Sequence, residues 1–135
     1  MKSRISHVCY ADDDPDDHEI FSVVIKRILP SVTLDSFDSC KCLLEYLKNE
    51  NNPIPDLIFM DYNMPGEDGN ECLQLVRKTA RLLHIPVIIY STSNHPAFIK
   101  TCYENGATKY IIKPNTFNEV KTIIEQAIRE IEGED

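Results

Sequence analysis

Residues 57–69 read LIFMDYNMPGEDG, and this stretch decides the fold. Its first four residues are apolar without alternation, Asp61 follows them directly, and a loop with two glycines comes next. A short run that is apolar throughout is typical of a strand that is buried on both faces of a parallel sheet. The stretch therefore predicts a helix-covered strand that ends at Asp61.

Similar apolar runs lie on both sides of this stretch, at residues 7–11, 32–37, 87–90 and 110–112. Between them, apolar residues recur three or four positions apart, most clearly from Phe117 to Ile131, which predicts helices. Asp14 followed by Pro15 indicates a helix N-cap and first turn, and Pro30 ends that helix. Five such units predict an α/β fold, a doubly wound five-stranded parallel sheet with helices on both faces and nearly all-apolar strands.

The length and charge of the chain limit its organisation and its partners. At 135 residues it suits a single domain over 1–135, with a core at about 5–131 and an acidic tail at 132–135. Its 22 acidic and 14 basic residues give a net charge of -8, which disfavours binding to DNA or to anionic membranes. The chain has neither an apolar run of membrane-spanning length nor a signal-peptide pattern, so we expect a cytoplasmic location.

Cysteines and histidines follow no metal-binding motif. Most of the cysteines lie in apolar patterns. The chain has five of them, Cys9, Cys40, Cys42, Cys72 and Cys102. Their spacing fits neither a zinc knuckle nor a Cys-x-x-Cys redox pair, so we expect buried, reduced thiols. The four histidines are scattered along the chain: His7, His18, His84 and His95. None repeats a metal spacing, and we expect them to lie on the surface or to serve in packing.

Polar residues that can do chemistry follow four of the five predicted strands. They are Asp12 and Asp13 after the first strand, Asp61 after the third, Ser91 and Thr92 after the fourth, and Lys113 after the fifth. In an open parallel sheet, ligands bind at the carboxyl ends of the strands, so these side chains are expected to converge. The acidic residues that follow Asp13 (Asp14, Asp16, Asp17 and Glu19) are instead predicted to cap the first helix and to form its solvated face.

The converging residue types indicate phosphoryl transfer. Three carboxylates at one edge raise one another's pKa unless a cation lies among them, and an oxygen-only site of this kind favours Mg²⁺. The ammonium of Lys113 and the hydroxyl of Ser91 supply the counter-charge and the hydrogen-bond donor that a tetrahedral anion needs. A carboxylate nucleophile beside them completes a site for phosphoryl transfer.

Four strings in order resemble the receiver domains of two-component response regulators: ADDDPDD, LIFMDYNMPGEDG, PVIIYSTS and GATKYIIKP. The resemblance extends from about Ile5 to Ile131 and implies a flavodoxin-like sheet with the strand order 2-1-3-4-5. The combination of HIPVIIYSTS with the turn at residues 103–107 is similar to that of small stand-alone, single-domain receivers. In that family Asp61 would be the phospho-acceptor, Asp13 a direct metal ligand, Asp12 a ligand through water, and Asn63 a ligand through its backbone carbonyl.

The same resemblance implies roles for the remaining strand-end residues. Ser91 would be the switch hydroxyl, the backbone amide of Thr92 would hold a phosphoryl oxygen, and Lys113 would pair with the phosphoryl group. Tyr110 would be the aromatic switch residue that turns inward when Ser91 moves. Pro114 follows Lys113 in a peptide bond that the family often holds cis.

The implied function is that of a phospho-accepting response regulator. Asp61 would take a phosphoryl group from a sensor histidine kinase or a histidine phosphotransfer protein with Mg²⁺. The face formed by the fourth helix, fifth strand and fifth helix would then change shape for a protein target. The resemblance implies a monomer or weak homodimer whose only reactions would be self-phosphorylation and slow autodephosphorylation.

Two alternatives compete with this interpretation. A haloacid-dehalogenase-type Mg²⁺ phosphatase also uses an aspartate nucleophile, but it typically has a second aspartate two residues later, where this chain has Asn63. It also places the nucleophile on the first strand. The other alternative is an interaction module that keeps the fold and takes no phosphate.

Overall fold

A computed structural model describes residues 4–64 and 66–133 of the chain. In chain order the elements are β1 (His7–Ala11), α1 (Pro15–Ile28), β2 (Thr33–Phe37), α2 (Cys40–Lys48), β3 (Leu57–Met60), β4 (Asn63–Met64), β5 (Glu67–Asp68), α3 (Gly69–Lys78), a 3₁₀ helix (Ala80–Leu82), β6 (Val87–Ser91), α4 (Pro96–Glu104), β7 (Lys109–Ile112) and α5 (Phe117–Ile131). The predicted alternation of strands and helices is confirmed. The predicted starts of the second and fifth sheet strands each differ by one residue.

Five parallel strands form the main sheet, in the order β2-β1-β3-β6-β7. When only the strands of this sheet are numbered, leaving out β4 and β5, the order is 2-1-3-4-5, as expected. Alternate residues of β1 enter two separate cores, because successive side chains of a strand point to opposite faces. Val8 and Tyr10 pack with α1 and α5 on one face, while Cys9 and Ala11 pack with α2 and α3 on the other.

The edge strand β2 departs from the predicted apolar pattern. Its sequence is TLDSF, and its residues are half-buried or exposed, whereas every residue of β1, β3 and β6 is buried. The reason is position, since β2 pairs with one neighbour and lies at the rim of the sheet. The expectation of nearly all-apolar strands is therefore wrong for β2.

Short polar side chains start the helices, as the sequence predicts for the first of them. Asp14 caps α1 by accepting a hydrogen bond from the backbone N–H of Asp16, and Pro15 is the first helical residue. Ser39 and Thr116 cap α2 and α5 in the same way. These caps fix where each helix begins after its strand, which in turn fixes the loops at the carboxyl edge of the sheet.

A small hairpin follows β3, where the sequence analysis expected a loop. β4 and β5 pair in antiparallel fashion, and Gly66 between them has a φ of 72°, the left-handed conformation that favours glycine. Gly69 has a different reason. It is the buried first residue of α3, and a Cβ atom on it would lie 2.7 Å from the backbone Cα and O atoms of Tyr62. Gly69 thus lets α3 start against the residue that follows Asp61.

The cysteines do not all match the prediction of buried thiols. Cys40 on α2 and Cys72 on α3 form a disulfide, and Cys42 is an exposed free thiol. Cys9 and Cys102 are buried and free, as predicted. The disulfide forms because α2 and α3 lie side by side on one face of the sheet, a proximity that a sequence separation of 32 residues does not reveal.

Three further expectations concern the acidic tail, the peptide bond before Pro114 and membrane-spanning segments. Glu134 and Asp135, half of the acidic tail, lie outside the described residues, whereas the Glu132 carboxylate accepts a 2.7 Å hydrogen bond from the backbone N–H of Arg4. The Lys113–Pro114 peptide bond is trans, as are the other peptide bonds of the described residues. In the same part of the chain, every helix is too short or too polar to span a bilayer.

Replacing Gly69 by alanine is expected to destabilise the fold. The added methyl group would meet the Tyr62 backbone, which cannot move aside as a flexible side chain would. We predict a loss of about 1–3 kcal/mol in the free energy of unfolding, measured by urea denaturation. Glu71→Ala, an exposed position in the first turn of the same helix, is the control, and its loss should stay within about 1 kcal/mol. Equal stability of Gly69→Ala and the wild type would contradict the close approach.

Candidate functional site

The four strand ends that carry chemistry meet at one edge of the sheet. Backbone hydrogen bonds hold them there: Asp61 donates to Ala11 at 2.9 Å, and Lys113 donates to Ser91 at 2.8 Å. Asp12, Asp61 and Ser91 are buried, although they are polar. The predicted convergence of these side chains is confirmed, and it is a direct result of the parallel strand order.

The ammonium of Lys113 lies at the centre of the site. Its Nζ is 2.7 Å from Asp12 Oδ2, 2.8 Å from Asp17 Oδ2 and 3.0 Å from Asp61 Oδ2. Burial alone would lower the pKa of Lys113, but these hydrogen bonds and charges outweigh it and raise that pKa above its ordinary value. The lysine is therefore a permanent cation that three carboxylates share.

Asp12 is ionised in this arrangement in spite of its complete burial. Burial raises the pKa of Asp12, but hydrogen bonds from Lys113, the Tyr10 hydroxyl and the Asp14 backbone N–H together bring the pKa below its usual value. The Tyr10 hydroxyl donates at 2.6 Å, and its own pKa is far above the usual range because of burial and then the charge of Asp12. Tyr10 is thus a fixed neutral donor to an ionised carboxylate.

Asp61 has the opposite balance. Its burial raises the pKa of the carboxyl group, and the Asn63 N–H at 3.0 Å from Oδ1 and the nearby Lys113 offset this only in part. The charge of Asp12 adds to the increase. Ionised Asp61 is therefore under-compensated by the protein alone, and a further cation beside it would favour its ionised form.

Three carboxylates are close enough to share a metal ion. One oxygen each from Asp12, Asp13 and Asp61 can be chosen so that all three lie within 4.8 Å of one another. Asp13 is exposed, so the group opens to solvent on one side, whereas the other two are buried. Hard oxygen donors with one open side suit Mg²⁺, which keeps several waters in its coordination shell. These residues therefore fit the predicted ion.

The predicted hydroxyl residue, Ser91, and the predicted aromatic residue, Tyr110, both contact Ser93. Ser91 is buried, and its Oγ accepts hydrogen bonds from the Ser93 backbone N–H at 3.3 Å and the Asn63 side-chain amide at 3.4 Å. The Tyr110 hydroxyl donates to the Ser93 carbonyl at 2.7 Å, and the ring is half-buried against the core. Thr92 is exposed between the two serines. Ser93 therefore connects Ser91 to Tyr110.

Asp17 and Tyr10 contact the site, although their sequence positions did not predict it. Asp17 was predicted to be a solvated helix residue, but its carboxylate binds Lys113, with 30% of the side chain exposed. As the third residue of α1, it points back over the end of β1. Tyr10 lies two residues before Asp12 in an extended segment, so the two side chains share a face. The available sequence signals were that Asp17 lies four residues after Asp13 and that Tyr10 lies two residues before Asp12.

One histidine and an aromatic group also border the site. His18 Nε2 donates to the Asp12 carbonyl at 2.6 Å, so this helix histidine packs against the loop that follows β1. The Tyr62 ring, directly after Asp61, stacks on Phe98 of α4 with ring centroids 5.1 Å apart, and His95 stacks on the same Phe98 at 4.7 Å. The stacked rings thus connect the segment that follows Asp61 to the start of α4.

Comparisons with known proteins agree on one family. The family model described as the response regulator receiver domain matches residues 8–125. The chain is 35% identical over 118 residues to the rice (Oryza sativa subsp. japonica) protein named two-component response regulator ORR13, which covers 87% of this chain and 94% of the rice protein. These findings give no support to the phosphatase alternative.

Solved structures share the fold. The phosphorylated cyanobacterial phytochrome response regulator RcpA superposes with a TM-score of 0.85 at 24% identity, covering 95% of this chain and 94% of RcpA. The Mn²⁺-bound form of the response regulator Rcp1 gives a TM-score of 0.77 at 23% identity, covering 92% of each chain. The strand order and helix placement described above are thus those of known receiver folds.

Removing the central cation is expected to destabilise the protein in metal-free buffer. Lys113→Ala leaves two buried carboxylates without their counter-charge, and we predict a loss of about 3–5 kcal/mol in the free energy of unfolding. Mg²⁺ should restore part of this loss by supplying positive charge at the same place. The measurement is urea denaturation with and without Mg²⁺.

The matched control is Lys109→Ala, which removes a lysine paired with Glu130 on the protein surface. That change should cost less than about 1 kcal/mol and should not respond to Mg²⁺. Similar losses for the two variants would contradict a central role of the Lys113 ammonium.

Proposed function

Because the chain belongs to the response regulator receiver domain family of two-component systems, we propose that Asp61 accepts a phosphoryl group and thereby changes a protein-binding face. The observation that carries the proposal is the position of Asp61. Its carboxylate is buried at the sheet edge, 3.0 Å from the Lys113 ammonium and within reach of two more carboxylates. A carboxylate that can act as a nucleophile, a fixed cation and two further carboxylates that can bind a metal ion thus lie close together.

Mg²⁺ is the proposed cofactor. The carboxylates of Asp13 and Asp61 and the backbone carbonyl of Asn63 would bind it directly, and Asp12 would bind it through water. The close carboxylate oxygens support this set, as does the Mn²⁺-bound form of the structurally similar Rcp1. When bound, the ion would neutralise and orient the phosphoryl oxygens during transfer.

The proposed donor is a phosphohistidine on a sensor histidine kinase or a histidine phosphotransfer protein. A carboxylate oxygen of Asp61 attacks the phosphorus, the N–P bond of the phosphohistidine breaks, and its electron pair returns to the imidazole. The product is an acyl phosphate on Asp61. In the proposed reaction Lys113, the Thr92 N–H and the Ser91 hydroxyl would bind the phosphoryl oxygens, so that catalysis would consist mainly of positioning and charge neutralisation.

The proposed switch runs through Ser93. Ser91 Oγ accepts a hydrogen bond from the Ser93 N–H, and the Ser93 carbonyl accepts one from the Tyr110 hydroxyl, so Ser93 joins the two proposed switch residues. When Ser91 turns toward a phosphoryl oxygen, it releases the Ser93 N–H and so changes the support of the Tyr110 ring. Tyr110 also connects α4 to β7, because its backbone N–H donates to the Tyr103 hydroxyl at 3.0 Å.

The face that would respond is formed by α4, β7 and α5. It carries exposed apolar side chains, among them Tyr103 and Ile112. We propose that a downstream protein binds there, that the chain acts as one domain and as a monomer or weak homodimer, and that it works in the cytoplasm. The net charge of -8 supports protein partners over DNA or membranes. Beyond its own phosphorylation and slow dephosphorylation, no catalysis is proposed.

Labelling with a small phosphodonor tests this function. In the presence of Mg²⁺ the wild type should incorporate one phosphoryl group per chain, and Asp61→Asn should incorporate none while it remains folded by circular dichroism. The control is Asp68→Asn, which changes an exposed aspartate of the neighbouring hairpin and should label like the wild type. Release of many equivalents of phosphate from a phosphomonoester would instead indicate a phosphatase.

A further inference from the structure

A second cluster of polar residues lies toward the opposite end of β1 from the phosphoryl site. His7 and Cys9 are two residues apart on β1, and the strand register pairs Cys9 with Asp35 of β2. All three side chains therefore project from the same face of the sheet, the face that α2 covers. We call these three residues the His7 cluster. The proposed phosphoryl transfer makes no use of them.

The polar atoms of the His7 cluster converge on one point. His7 Nε2 lies 2.7 Å from Asp35 Oδ2 and 4.0 Å from Cys9 Sγ, and one ligand atom from each residue lies within 4.8 Å of the others. Ligands of a tetrahedral Zn²⁺ at ~2.0–2.3 Å from the ion are roughly 3.3–3.8 Å apart. Lengthening the His7–Asp35 separation by about 0.6 Å and shortening the His7–Cys9 separation by about 0.2 Å would bring both into this range.

A fourth oxygen lies beside the cluster. The Tyr46 hydroxyl, from α2, is 3.1 Å from Asp35 Oδ2 and 3.5 Å from His7 Nε2. It donates a hydrogen bond to Asp35 and so orients that carboxylate. The Tyr46 hydroxyl is thus close enough either to orient Asp35 as a metal ligand or to complete the coordination shell itself.

The backbone holds the cluster firmly and leaves one side open. Two adjacent hydrogen-bonded strands carry the three residues, and the Asp56 carboxylate also accepts the His7 backbone N–H at 3.0 Å. Cys9 is completely buried, whereas 38% of the Asp35 side chain is exposed at the sheet edge. An ion could therefore reach the thiol past Asp35.

We propose that His7, Cys9 and Asp35 bind one thiophilic divalent transition-metal ion, with Zn²⁺ as the natural occupant. A thiolate with an imidazole and a carboxylate is a ligand set for Zn²⁺ and its neighbours in the transition series, and it is unsuited to Mg²⁺, which takes oxygen ligands. Binding would release the Cys9 thiol proton to solvent, and the proton that His7 Nε2 donates to Asp35 would leave Nε2, so that the neutral imidazole carries its proton on Nδ1. The His7–Asp35 hydrogen bond would be replaced by a bond from each residue to the ion.

This site is separate from the one at Asp61. Cys9 precedes Asp12 by three residues, which corresponds to about 10 Å along an extended chain. The ligand chemistry also differs, because sulfur and nitrogen take part only in the His7 cluster. The two sites can therefore be examined in one sample, with excess Mg²⁺ to occupy the acidic site.

Titration of the full chain with Co²⁺ in excess Mg²⁺ tests the proposal. Co²⁺ replaces Zn²⁺ in such sites and gives a near-ultraviolet charge-transfer band only when a thiolate binds it. We expect a band that saturates at one equivalent and disappears on addition of Zn²⁺. Cys9→Ser should abolish the band, and Asp35→Asn should weaken Co²⁺ binding by about tenfold or more.

Two matched variants identify the thiol. Cys102→Ser replaces the other buried free cysteine, and Cys42→Ser replaces the exposed one; both should keep the band. A missing band in the wild type, or a band that survives Cys9→Ser or is lost in Cys42→Ser, would overturn the proposal. If Cys9→Ser does not fold, Asp35→Asn at the half-exposed position decides, since unchanged affinity there also refutes the site. Phosphodonor labelling of Asp61 is a separate readout, so failure of either proposal is distinguishable.

Discussion

The structure depends on how the Lys113 ammonium compensates the carboxylates that the parallel sheet brings together. Parallel strands place their carboxyl ends at one edge, and here two of the ends carry aspartates that are almost fully buried. Buried like charges are unfavourable unless a cation and hydrogen bonds accompany them. Lys113 supplies the cation from the fifth strand of the sheet, and Tyr10 and the loop backbone supply hydrogen bonds. The same ion pairs and hydrogen bonds therefore stabilise the fold and define the geometry of the site.

That compensation is incomplete, and the remainder has functional consequences. Asp12 is held in its ionised form, whereas burial raises the pKa of Asp61 beyond what Lys113 offsets. A divalent cation at the open side, next to Asp13, would remove this imbalance, and a phosphoryl group would then give Lys113 a new partner. In the function proposed here, the same cation thus serves stability first and phosphoryl binding afterwards.

The sequence was sufficient for the parts that follow from chain order and periodicity. The apolar run before Asp61 and its counterparts predicted the sheet, and the strand-end rule placed Asp12, Ser91 and Lys113 beside Asp61. The sequence was insufficient where a contact depends on how two elements are placed relative to each other. Asp17 reaches Lys113 because the first turn of α1 lies over the end of β1. Likewise, Asp35 meets Cys9 only through the strand register, and Cys40 meets Cys72 through neighbouring helices.

The most direct measurement is the chemical identity of the phosphorylated residue. Wild-type protein can be labelled by a phosphodonor in Mg²⁺ and then reduced with borohydride, which converts an aspartyl phosphate to homoserine, and its peptides can be mapped by mass spectrometry. Conversion at residue 61 alone, and only with Mg²⁺ present, is the predicted result. Phosphate found on a serine, a histidine or another aspartate, or labelling that is independent of Mg²⁺, would contradict a site built around Asp61 and Lys113.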